Sequence, residues 1–130
     1  MKKLLLAFVF AVVLSCSCLN AQSVEPKNET HTVYCELVGT QKLNGKVKVE
    51  VDYGQLRRWG NNTMVDDNGQ TIEFNSMVDA MNYMGELGWR FVQAYVVGTG
   101  GNLVYRWLLQ KDLSPEEAIN DGIKIKKEGH

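Results

Sequence analysis

The sequence predicts an α+β domain in which an antiparallel sheet of about four strands follows the order ββαββ, with the main helix on one face and a short C-terminal helix. Three observations support this fold class. Two segments in the first half of the chain alternate apolar and polar residues, as half-buried strands do. An apolar stripe at helical spacing comes next, and two more alternating segments follow it.

The first two strands are predicted to form an antiparallel hairpin. Residues 31–41 alternate in polarity, and residues 47–53 do so strictly, with three valines and a tyrosine on one face and charged residues on the other. Between them lies Asn44-Gly45, a pair that adopts the positive φ angles of tight hairpin turns. A minor hairpin around an acidic turn is predicted at residues 64–72.

The main helix is predicted to begin after Ser76 and to end at Gly88. Ser76 is a good N-cap, and Asp79, three residues later, can answer it with its carboxylate. Gly88 can adopt the left-handed conformation that ends helices, and Trp89 just beyond it can fold back onto Met84. The apolar residues of this segment share one stripe about three turns long, which is typical of a helix packed on a core: Met77, Ala80, Met81, Met84 and Leu87.

Two further strands and a short helix are predicted to complete the domain. The strands span residues 89–97 and 103–110 and are joined by a glycine-rich turn. The segment from Ser114 to Glu117 has the residues that begin helices: a cap, a proline in the first turn, and acids that face the positive end of the helix dipole. The predicted helix is short because Gly122 follows closely, and the residues after Ile125 are expected to be a flexible tail.

The N-terminal segment has the organisation of a signal peptide. Two lysines precede an apolar run of about eleven residues, which is too short to span a bilayer as a helix, and small residues follow. We favour cleavage after Ala21; the alternative is lipidation of Cys16, which would anchor the chain as a lipoprotein. Either way, the domain is expected to be exported to the periplasm or the exterior, without a transmembrane span. The predicted signal peptide, polar leader, α+β domain, and helix with tail are residues 1–21, 22–30, 31–113 and 114–130.

Composition and spacing argue against several kinds of chemistry. The chain carries 14 basic and 15 acidic residues, so it lacks the basic field that nucleic-acid binding requires. His31 and Cys35 resemble a nucleophile and its base, but four strand residues separate them by about 13 Å. The other histidine is His130, and Cys35 is expected to be a small buried residue. We therefore expect no enzyme, metal site or cofactor, although carboxylates could still pair in three dimensions.

A contact surface is the strongest functional feature of the sequence. Both faces of the last two strands carry apolar residues, and large exposed apolar patches usually mark contacts. The alternatives for covering the second face are the C-terminal helix through Ala118 and Ile119, a homodimer, and another protein. The candidate contact residues lie on these strands and in the loop after the second strand, where aromatic and arginine side chains suit an interface: Val92, Ala94, Val96, Val104, Leu108, Arg57, Arg58 and Trp59.

The junction between the main helix and the next strand resembles a known family. The segment from Met84 to Val92 reads Met-Gly-Glu-Leu-Gly-Trp-Arg-Phe-Val. It is similar to the Leu-Gly-x-x-Gly-Trp-Glu-x-Val signature of a small bacterial family called domain of unknown function 4177, with methionine for the leucine and Arg90 for the glutamate. The end of the last strand, residues 108–111, is also similar. The resemblance covers residues 76–111 and implies a two-layer fold, with no activity, cofactor or catalytic residue.

These observations favour an exported, non-enzymatic domain that acts by protein contact or by self-association. The alternative is a binding module for a small molecule or a glycan, which would use Tyr53 and the loop residues Arg57, Arg58 and Trp59 at one end of the sheet.

Overall fold

One antiparallel sheet and one helix form the part of the chain that the computed structural model describes, residues 29–56 and 62–126. The sheet has five strands within these residues, in the spatial order β3-β2-β1-β5-β4. The α+β class and the antiparallel sheet are confirmed, and the short strand β3 is an addition to the predicted order. The elements are β1 (His31–Gln41), β2 (Val47–Asp52), β3 (Glu73–Phe74), α1 (Met77–Glu86), β4 (Arg90–Thr99) and β5 (Asn102–Leu113).

The β1–β2 hairpin forms at the predicted turn. Gly45 has a φ of 80°, in the left-handed region that glycine adopts without strain. The Asn44 side chain accepts a hydrogen bond of 3.0 Å from the Lys46 amide, which holds the turn. Leu37 pairs with Val51 across the hairpin, so the apolar faces of the two strands coincide.

Helix α1 begins and ends as its sequence predicts. The Ser76 hydroxyl accepts a hydrogen bond of 3.2 Å from the Asp79 amide, and the Asp79 carboxylate accepts one of 2.9 Å from the Asn75 amide. At the other end Gly88 has a φ of 88°, and the Trp89 amide donates to the Met84 carbonyl at 3.1 Å. This reversal directs Trp89 into the core.

The helix packs closely on the centre of the sheet. A Cβ added at Gly39 of β1 would lie 2.2 Å from Sδ of Met77, so glycine lets the helix approach this strand. The core between the layers consists of apolar side chains from every strand except β4, together with residues of the helix, of its junction with β4, and of the segments that follow β2 and β5. These residues are Cys35, Leu37, Val47, Val49, Val51, Met64, Phe74, Met77, Ala80, Met84, Trp89, Leu109 and Ile123.

The predicted C-terminal helix is wrong for the described residues, because the chain after β5 forms a series of turns. The Glu117, Asp121 and Ile123 amides each donate to the carbonyl three residues earlier. Side chains also bond the local backbone: the Glu117 carboxylate accepts from the Ser114 amide, and the Asp121 carboxylate accepts from the Ala118 amide. Such local bonds compete with helical ones, and so short a segment cannot offset the unfavourable start of a helix.

The C-terminal segment instead pairs with a segment that lies along β2. Residues 62–64 lie along β2, where the Met64 amide donates to the Val49 carbonyl at 3.0 Å. Residues 124–126 lie beyond them, with the Val65 amide donating to the Lys124 carbonyl and the Lys126 amide to the Thr63 carbonyl. The predicted minor hairpin is confirmed by the pairing of Val65 with Thr71.

Several predictions concern residues outside the described part of the chain. They are the signal peptide at residues 1–21, lipidation at Cys16, most of the leader at 22–30, the contact residues Arg57, Arg58 and Trp59, and the last residues of the tail, 127–130. Among the described residues, no helix has both the length and the apolar character needed to cross a bilayer.

Candidate functional site

Strand β4 forms the edge of the sheet opposite β3. It pairs with β5 on one side, and no described strand pairs with it on the other. Its side chains from Arg90 to Val97 are all exposed, including large apolar ones such as Phe91 at 48% and Val96 at 54%. An edge strand of this length usually carries a lysine, a proline or a covering segment that prevents pairing with another chain. The sequence of β4 has neither residue.

A β-bulge near the start of β4 changes which of its residues share a face. The register with β5 shifts between Phe91 and Gln93, so Val92 lies within the irregularity. Strict alternation predicts Phe91 on the face opposite Ala94, and that assignment is wrong. The Phe91 ring packs against Trp107 at 5.3 Å between ring centroids, and Trp107 is the residue paired with Ala94.

The two sides of the sheet can be assigned from the register and the helix. Gly39 lies beneath Met77 of the helix, and it pairs with Tyr105, which pairs with Val96. Directly paired residues point to the same side. The helix side of β4 therefore carries Phe91, Ala94 and Val96. The outer side, away from the helix, carries Gln93, Tyr95 and Val97, next to Leu108, Arg106 and Val104. The predicted contact residues are thus divided between the two sides.

On the helix side, α1 and the last two strands both carry apolar residues. The ring of Tyr83 packs edge-on against Phe74 of β3 at 5.8 Å, so this flank of the helix lies toward β3. Helical spacing places Val78 and Met81 on the opposite flank, and Val78 is 59% exposed. We call these residues the helix-side surface; they are Val78, Met81, Ala94, Val96, Tyr105 and Trp107.

The outer side is polar where β1 and β5 meet. The Tyr95 hydroxyl donates to Oε2 of Glu36 at 2.7 Å, and Arg106 forms an ion pair with the other oxygen of the same carboxylate. The hydrogen bond to Glu36 raises the pKa of Tyr95. Val104 and Leu108 are half-buried beside this network. Charged and hydroxyl groups therefore interrupt the apolar residues in this central region of the second face, and the expectation of a cover over that face stays a prediction.

A second ion pair lies at the start of β4. Arg90 contacts Asp112 at 2.8 Å, and the Thr32 hydroxyl donates to the same carboxylate at 2.7 Å. The hydrogen bond from Thr32, followed by that from Arg90, lowers the pKa of Asp112. The positive charge nearest the open edge is thus compensated.

The thiol of Cys35 is buried and has a raised pKa. Cys35 is a free thiol in the core, and burial followed by the nearby charge of Asp52 raises its pKa to about 12. The thiol therefore stays protonated near neutral pH, whereas nucleophilic attack requires the thiolate. The prediction of a small buried cysteine is confirmed, while His31 is exposed at the first position of β1. Within the described residues, no three histidine, cysteine or acidic side chains are placed to hold a metal ion.

A second candidate site is a cavity of about 990 Å³ beyond the end of β2. Tyr53, Val65, Ile123 and Ile125 contribute apolar surface, and Lys124 forms an ion pair with Asp67 near the opening. The hydrogen bond from Lys124 lowers the pKa of Asp67. Sequence reasoning placed Tyr53 at such a site but missed the C-terminal residues, because only the pairing of residues 124–126 with 63–65 brings them there. The remaining lining residues are Gln55, Leu56, Asn62, Asp66, Gly69, Asn120 and Lys126.

Comparison of the chain with protein-family models, curated proteins and solved structures gives no match. The resemblance to domain of unknown function 4177 stays a prediction.

Proposed function

We propose that the chain is an exported, non-enzymatic domain that acts by protein contact, and that it makes this contact by adding a strand to the open edge of β4. The observation that carries the proposal is the difference between the two edges of the sheet. The C-terminal segment pairs with residues 63–65 toward one edge, whereas no described strand pairs with the free side of β4 at the other.

Strand addition suits the chemistry of this edge. The unpaired backbone groups of an edge strand give affinity through hydrogen bonds, and alternate side chains give specificity. Here apolar side chains of the added strand would lie beside Ala94 and Val96 of the helix-side surface, and the outer side would offer Tyr95 and Val97. Export rests on the predicted signal peptide, residues 1–21.

The test is site-specific photo-crosslinking in cells that make the protein. A photoreactive amino acid at Val96 is expected to give a discrete adduct of higher mass, because the added strand would lie within a few ångströms. The matched control is the same amino acid at Asn68, an exposed residue of the acidic turn near the opposite edge. Equal adduct formation at both positions, or none at Val96, would overturn the contact proposal.

A binding module for a small molecule or a glycan is the second candidate, and the cavity beside Tyr53 favours it. Its volume is within the range of ligand sites, and an aromatic ring beside amides and carboxylates can both stack on and hydrogen-bond a sugar. Titration with soluble oligosaccharides is expected to shift the amide resonances of Asn62 and Asn120. Tyr53→Ala should reduce the shifts and Tyr34→Ala, an exposed residue on β1, should not. Unchanged resonances at millimolar sugar would count against this candidate.

A further inference from the structure

We propose that the strand added to β4 is β4 of a second copy, paired antiparallel about a two-fold axis at Val96. This inference rests on the proposed contact function and names its partner. The result is one continuous sheet that runs through both copies.

Charge is the first argument for a second copy. From Phe91 to Thr99 the strand carries no acidic or basic residue, whereas β2 and β5 carry three charged residues each and β1 carries Glu36. The two charged groups that flank this stretch on the outer side, Arg90 and Arg106, are both compensated by carboxylates. A strand that pairs here must also be neutral, because an unpaired charge held against an apolar edge is unfavourable. Strand β4 meets this requirement itself, and two copies approach without like-charge repulsion.

The bulge is the second argument, since it fixes where the axis falls. An antiparallel pair of identical strands must be symmetric about its axis. The irregular pairing at Phe91–Gln93 interrupts the ladder, which leaves a regular stretch from Gln93 to Thr99. Val96 is the midpoint of this stretch. Centring the axis there gives the longest regular pairing that two copies can share.

This register also matches side chains well. On the outer side, Tyr95 would face the partner's Val97, and Val97 would face the partner's Tyr95, which gives two pairs of an aromatic and a β-branched residue. On the helix side, Val96 would face the partner's Val96. Each of these residues is exposed in the single chain. Pairing therefore removes apolar side chains from water on both sides of the sheet.

The area of the contact sets the expected affinity of the dimer. A stable interface buries about 800 Å² on each partner, and one strand with a few half-exposed side chains supplies less. Backbone hydrogen bonds must contribute much of the affinity. We therefore expect a dimer that dissociates on dilution rather than a permanent one.

The test uses the chain from Gln22 onward, with light scattering behind a sizing column over a range of concentrations. The unchanged chain is expected to move from monomer to dimer as concentration rises. Val96→Lys places a lysine against its own copy, and it should weaken dimerisation about 100-fold or more. Leu43→Lys is the matched control, because Leu43 is fully exposed at the β1–β2 turn, and it should leave the dimer intact. Circular dichroism checks that both variants fold.

Single cysteines test the register. Val96→Cys should form an intermolecular disulfide under oxidation, because directly opposed Cβ atoms lie about 4.5–5.5 Å apart. Tyr95→Cys and Val97→Cys should form it less readily, because neither residue faces its own copy. Cys35 does not form a competing disulfide, because its thiol is buried. A chain that stays monomeric at every concentration, or a dimer that Val96→Lys leaves unchanged, would overturn self-pairing. Preferential crosslinking at another position would overturn the axis at Val96. An in-cell adduct at Val96 with the mass of another protein would retain the contact function and exclude the second copy.

Discussion

Removal of all residues after Ser114 is expected to prevent the domain from folding. Ile123 is 7% exposed in the core, and Ile119 and Ile125 pack against the same cluster. Each buried isoleucine contributes about 2–5 kcal/mol relative to alanine, and the total free energy of unfolding of a domain is about 5–15 kcal/mol. Truncation would also leave the backbone of residues 63–65 without its hydrogen bonds to the C-terminal segment. Circular dichroism and thermal unfolding measure the result.

A point variant separates the contribution of Ile123 packing from the other effects of removing the C-terminal segment. Ile123→Ala should lower the free energy of unfolding by about 2–4 kcal/mol. Glu116→Ala, in the same segment but exposed, should leave it within about 0.5 kcal/mol. A truncated chain that melts cooperatively near the temperature of the full chain would mean that the C-terminal segment only covers the surface.

The parts of the fold that follow local rules could be predicted from the sequence. The β1–β2 turn depends on Asn44 and Gly45, and both ends of α1 depend on residues within one turn of Ser76 and Gly88. Their signals are chemical and short-range, so they persist in the folded chain. The prediction of a C-terminal helix was wrong although the capping residues are present. Ile123 packs in the core, and hydrogen bonds of the Glu117 and Asp121 side chains to the local backbone favour turns.

The apolar composition of the β4 edge could be predicted from the sequence, but the arrangement of its side chains could not. The apolar residues of the last strands indicated a contact surface, and most of β4 is exposed. Alternation could not reveal the bulge at Phe91–Gln93, because a bulge is a property of the pairing with β5. The polar network on the outer side likewise joins Glu36, Tyr95 and Arg106, which are far apart in sequence and meet only across three strands. Such long-range register has no signal in a single sequence.

Trp89→Ala is expected to be among the most destabilising single substitutions in the domain. Trp89 is 2% exposed and belongs to the largest fully buried side chains. Truncation of a buried tryptophan costs about 3–5 kcal/mol, because the neighbours cannot collapse fully into so large a cavity. Urea denaturation followed by circular dichroism measures the loss.

Trp89→Phe tests why the loss occurs. Among the described residues, the buried indole Nε1–H donates to no hydrogen-bond acceptor, and an unpaired buried donor is itself unfavourable by about 1–3 kcal/mol. Phenylalanine removes that donor and keeps most of the ring, so its net effect should be smaller than about 2 kcal/mol. If Phe and Ala were equally destabilising, the indole nitrogen would have to make a bond that holds the helix-to-strand junction, and the packing explanation for Trp89 would be wrong.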